Sequence, residues 1–80
     1  MQFNKQDVYQ LMSSIMEYSA ENLQKLEDAE PLSTHGLTSI GAIQILLLLE
    51  EQYDLQFRDE HLTPESVYCL KNLWDILQYY

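Results

Sequence analysis

Ser39 lies in Gly36-Leu37-Thr38-Ser39-Ile40-Gly41, a loop that opens directly onto Ile43-Gln44-Ile45-Leu46-Leu47-Leu48-Leu49. A hydroxyl at the mouth of a helix has two uses. It can cap the helix by accepting a backbone N–H, or it can stand clear on a rigid base as the acceptor of a transferred group. Acting as a nucleophile unaided would require a base. His35 is near in sequence, but no acid that would orient it is identifiable, so a hydrolase-type triad is not supported. His35 and His61 are far apart with no cysteine beside them, which is no metal-ligand pattern. No catalytic residue and no metal site is assigned.

Helical elements must position this loop. The first helix is expected over Lys5 to Leu26, with Val8, Leu11, Met12, Ile15, Ser19, Asn22 and Leu26 at three- and four-residue spacing and the stripe weaker after Ile15. Asn4 is its N-cap, with Asp7 in the favoured first turn. From Glu27 to Thr38 the periodicity stops; Pro31 and Gly36 punctuate a long connection that Leu32 and Leu37 pin to the core. The second helix starts at Thr38 or Ser39 and runs to about Tyr53. Its apolar run is too long for one buried stripe, so part of it meets a second surface or faces solvent. Thr63-Pro64-Glu65-Ser66 reads as a short helical turn capped by threonine, with proline at its first position. The last helix spans about Leu70 to Tyr80, with Leu70, Leu73, Ile76, Leu77 and Tyr80 on one side. The expectation is all-α: a small four-helix bundle of three long helices and one short one, with a long loop between the first and second.

Composition limits what such a body can do. Eighty residues make one domain, spanning 1–80, and a 46% hydrophobic content is enough to fold it. Acidic residues outnumber basic ones 13 to 4, giving a formal charge of -9. That charge disfavours nucleic acid and anionic lipid and favours partners that present basic patches. The single cysteine, Cys69, rules out an internal disulfide and reads as a small hydrophobe near a helix start. No signal-peptide core is visible at the N-terminus, and no apolar stretch approaches the ~20 residues of a membrane span; a cytoplasmic monomer is expected. The six tyrosines and Trp74 read as packing groups rather than a base-stacking platform.

Three segments together carry a family resemblance. They are Gly36-Leu37-Thr38-Ser39-Ile40-Gly41-Ala42-Ile43, Leu49-Glu50-Glu51-Gln52-Tyr53-Asp54-Leu55, and Leu62-Thr63-Pro64-Glu65-Ser66 followed by Leu70-Lys71-Asn72-Leu73-Trp74-Asp75-Ile76-Leu77. In this order they resemble the acyl carrier proteins and the peptidyl or aminoacyl carrier domains of assembly-line enzymes, whose second helix opens on Asp-Ser-Leu. The resemblance implies that Ser39 receives 4′-phosphopantetheine from coenzyme A and that the arm's thiol holds an acyl or aminoacyl group as a thioester. It implies that Leu37 and Ile40 seat the loop and helix start. It also implies partners: a phosphopantetheinyl transferase, an adenylating or acyl-loading ligase, and a downstream synthase or transferase. The docking surface for them would be Thr38, Ile40, Gln44, Leu47, Glu50 and Glu51. A phosphodiester on Ser39 would lie at a helix N-terminus, where unpaired N–H groups favour an anion. One departure stands out: Thr38 replaces the family's aspartate, which keeps a cap but removes a negative charge. The competing reading is a carrier-like adaptor that never accepts the arm and binds a basic partner through its acidic second helix.

Overall fold

The computed structural model describes residues 3–80, and its described residues are helical or irregular throughout. The elements are α1 (Lys5–Met16), α2 (Ala20–Lys25), α3 (Ser39–Tyr53) and α4 (Leu70–Leu77), with 3-10 turns at Leu32–His35, Asp59–His61 and Pro64–Val67. This is the expected small all-α bundle of three longer helices and one short one, but the short helix is α2, while the turn expected at Thr63 to Ser66 forms as the 3-10 turn Pro64–Val67.

The first helical stretch departs from expectation. It does not run unbroken to Leu26 but ends at Met16, where Glu17 takes a left-handed conformation (φ 56°) and its N–H donates to the Ser13 carbonyl. Ser19 then caps α2, its Oγ accepting from the Asn22 N–H at 3.1 Å. A straight helix would have turned Ser19 and Asn22 into the core. The break turns Ala20 and Leu23 inward instead, Leu23 fully buried. A left-handed non-glycine residue costs about 1–2 kcal/mol, less than the burial of one leucine side chain together with a cap recovers. At the other end of α1, Asn4 caps as expected, its Oδ1 accepting from the Gln6 and Asp7 N–H groups.

One core joins all four helices. Val8, Met12 and Met16 of α1 meet Leu23 of α2, Ala42, Ile45, Leu46 and Leu49 of α3, and Leu70, Leu73 and Leu77 of α4. The connections contribute Leu32, Phe57 and Val67 to it. The long loop before α3 is pinned by Leu32, which is fully buried and whose N–H donates to the Tyr68 carbonyl at 2.9 Å. A second strut runs from the Lys71 N–H to the Asp28 carbonyl, also 2.9 Å. Aromatic rings pack edge-on around this core: Phe3 on Tyr53, the buried Tyr9 on Trp74 and the buried Phe57 on Tyr80.

Two smaller expectations change. Thr63 makes no side-chain cap to the Pro64–Val67 turn; the local hydroxyl bond is made by Ser66, which is buried and donates to the His61 carbonyl at 2.6 Å. Helix α4 stops at Leu77, and Tyr80 folds back so that its Oη accepts from the Arg58 N–H at 2.9 Å and bonds His61 Nδ1 at 2.6 Å.

Candidate functional site

The site is assembled by the end of the long loop and the first turn of α3. Gly36 closes the 3-10 turn in a left-handed conformation (φ 95°), which a side chain would strain, and redirects the chain toward α3. Leu37 packs half-buried against the core. Thr38 is the N-cap: extended, with its Oγ1 accepting from the Gly41 N–H at 2.9 Å. The absence of a side chain at Gly41 matters for packing, since a Cβ there would lie 3.2 Å from Thr38 Oγ1 and 3.3 Å from a Leu37 methyl carbon. The loop is held further by His35, whose Nε2 bonds the Glu30 carboxylate and whose ring lies against Tyr18. His35 thus has an acidic partner that sequence reasoning missed. Among the described residues no hydrogen bond joins it to Ser39, so it is a loop anchor and not a base for that hydroxyl.

Ser39 is the first residue of α3 and is exposed. Its hydroxyl makes no hydrogen bond within the described residues, because Thr38 already serves as the cap. The N–H groups of the first helical positions have no partner inside the helix, and only that of Gly41 is taken up by the cap. A group esterified to Ser39 Oγ therefore meets free N–H donors and the positive end of a 15-residue helix. This suits an anionic ester and requires no rearrangement of the core.

The residues expected to dock partners do not behave alike. Ile40, Gln44, Leu47 and Glu51 are all exposed and follow helical spacing along the outer side of α3, with Ile40 at 75% and Leu47 at 50% of full exposure. Ile40 is therefore not a seat for the helix start; Leu37 alone has that role, because the first turn carries Ile40 away from the core. Beside the stripe, Gln44, Leu47 and Glu51 join Ile15 and Leu48 around a shallow apolar hollow of about 290 Å³. Glu50 is turned away from the stripe. It is half-buried, and its Oε2 accepts the Phe57 N–H at 2.6 Å, tying the loop after α3 to the helix. The outer surface of α3 is thus more apolar than its two glutamates suggest, with Glu51 the one carboxylate on the stripe.

On its other side Ser39 borders an open cleft of about 180 Å³. Leu37 and Pro64 line it with apolar surface, and Glu65 and Tyr68 line it as well.

Comparison with known families now applies. Residues 6–67 match the family model described as the phosphopantetheine attachment site, which spans well over half of the chain. The chain belongs to this family. Neither a curated protein nor a solved structure significantly matches it. It is a carrier rather than an enzyme: its cofactor is 4′-phosphopantetheine, covalently attached to a serine from coenzyme A, and it holds acyl or aminoacyl intermediates as thioesters. Family membership also implies partner enzymes that attach the arm, load it and unload it. No helix among the described residues is long and apolar enough to cross a membrane.

Proposed function

We propose that Ser39 is the attachment residue and that the outer stripe of α3 is the surface its partner enzymes read. Elimination among the serines within residues 6–67 is the observation that carries this. The hydroxyls of Ser13 and Ser14 are bonded to carbonyls of their own helix, at 2.8 and 2.6 Å. Ser19 caps α2, and Ser66 is buried and donates to His61. Ser33 and Ser39 remain exposed with unbonded hydroxyls. Of these, Ser39 alone stands at the start of a helix longer than one turn, within the Thr-Ser-Ile triplet that resembles Asp-Ser-Leu.

In this reading each residue has a physical task. The α3 N-terminus stabilises the phosphodiester, and Thr38 keeps the first turn formed so that those N–H groups stay aimed at it. Ser39 needs no base of its own because the transferase supplies one. The arm, once attached, provides a thiol for thioester exchange and a tether that raises the cargo's local concentration at each partner. Ile40 and Leu47 are the apolar anchors for the transferase, the loading ligase and the downstream synthase, with Gln44 and Glu51 as polar flanks and Thr38 at the rim. Glu51 and the charge of -9 favour enzymes with a basic rim. Residues 1–80 act as one carrier domain, a monomer in the cytoplasm; a core that draws on residues from Val8 to Leu77 supports the first of these.

The test is intact mass. Incubation with a broad-specificity phosphopantetheinyl transferase and coenzyme A should add one phosphopantetheinyl group to the protein and none to Ser39→Ala. An unchanged mass with every transferase tried would overturn the assignment and favour an unmodified adaptor.

A further inference from the structure

Tyr68 is an aromatic residue without an internal task. The other five tyrosines each meet a ring: Tyr9 meets Trp74, Tyr18 meets His35, Tyr53 meets Phe3, Tyr79 meets His61 and Tyr80 meets Phe57. Tyr68 meets none among the described residues and is 52% exposed. Its backbone, in contrast, is fixed on both sides of its Cα. The N–H donates to the Glu65 carbonyl at 3.1 Å, and the carbonyl accepts the Leu32 N–H at 2.9 Å. The ring therefore stands on a rigid base that is tied to the loop leading into Ser39, and it lines the same 180 Å³ cleft as that serine.

We infer that Tyr68 is the resting surface for the uncharged stem of the phosphopantetheine arm. This rests on attachment at Ser39. Charge decides which part of the arm enters the cleft. No cationic side chain lines it, and the Glu65 carboxylate does, so the phosphodiester is repelled from the interior and stays at the α3 N-terminus. The next segment, which carries the paired methyl groups, is neutral and largely apolar. It matches the accessible apolar surface of Leu37 and Pro64, which line the cleft, and the face of the Tyr68 ring. Tyr68 is thereby a positioning residue: by holding the stem on one side, it limits the directions in which the thiol leaves the protein. The ring face performs this task, and the phenol hydroxyl is not required.

Nuclear magnetic resonance on the intact protein tests this. The holo form is made with transferase and coenzyme A, and its loading is first confirmed by mass. The paired methyl protons of the arm should show nuclear Overhauser contacts to the Tyr68 ring and shift away from their positions in free coenzyme A. Tyr68→Phe should keep the contacts. Tyr68→Ala, checked for folding by the amide spectrum of its apo form, should return the methyl signals to the free positions. Methyl signals of the wild-type holo protein that coincide with those of free coenzyme A, or contacts that avoid residue 68, would overturn the inference while leaving the attachment intact. Absence of the mass gain would overturn the attachment and the inference with it.

Discussion

Thr38 Oγ1 accepts the Gly41 N–H at 2.9 Å, and this bond leaves the neighbouring Ser39 hydroxyl free. Capping and carrying are thus divided between adjacent residues. Thr38→Ala should lower unfolding stability by about 1 kcal/mol, the usual worth of such a cap. Thr38→Asp keeps an acceptor and adds a charge that the helix dipole favours, so its stability should equal or exceed wild type. If the family's aspartate assists the transferase through its charge, the Asp variant should also be modified faster than wild type. Urea midpoints and initial rates of mass gain measure the two effects separately.

Glu50 and Glu51 are neighbours in sequence with different physical roles. Glu50 bonds the Phe57 N–H, and removing it leaves a partly buried donor unpaired. Glu50→Ala should cost about 1–3 kcal/mol, while Glu51→Ala on the exposed side should stay within about 0.5 kcal/mol. Equal urea midpoints for the two variants would contradict this division.

Ile40 and Leu47 should matter to partners and not to the fold. Because Ile40 is 75% and Leu47 50% exposed, Ile40→Asp should shift stability by no more than about 0.5 kcal/mol and Leu47→Asp by about 1 kcal/mol. Loading by the transferase should nevertheless fall by about tenfold or more, as expected for the loss of an apolar anchor in an interface. A large loss of stability with normal loading would place these side chains in the fold instead.

The turn that delivers Ser39 depends on Gly36. Its φ of 95° is costly for any residue with a Cβ, so Gly36→Ala should destabilise the protein by about 1 kcal/mol or more. Thermal unfolding reads this directly.

Tyr9 gives the fold a dependence on alkaline pH. Burial raises its phenol pKa above the ordinary value of 10, and the Asp28 carboxylate raises it further. The folded state therefore holds this proton more tightly than the unfolded chain, so the stabilisation is complete below pH 10 and is lost as pH rises through the folded-state value. Stability of the wild type should fall with pH in that range more steeply than stability of Tyr9→Phe.

Much of this was legible in the residues, and the gaps have physical causes. The start of α3 is marked by Thr38 and Gly36, and its end falls at Tyr53 as the spacing indicates. The break after Met16 was hidden because no glycine or proline announces it. Its signal was the polar identity of Ser19 and Asn22 on a stripe that should have been apolar; Ser19 is a cap, not a core position. Glu50 and the pairing of His35 with Glu30 were not legible, since each depends on a loop folding back onto an earlier residue. Ile40 misled through its family counterpart: hydrophobicity suggested a seat, whereas its helical phase turns it outward.

Locating the added mass within the chain tests the central claim most directly. Proteolysis of the modified protein followed by fragmentation of the peptide containing Ser33 to Gly41 distinguishes the two exposed serines with free hydroxyls. The phosphopantetheinyl mass should appear between the fragment ions that end at Thr38 and those that include Ser39. The same mass on Ser33, or on any other residue, would contradict the account.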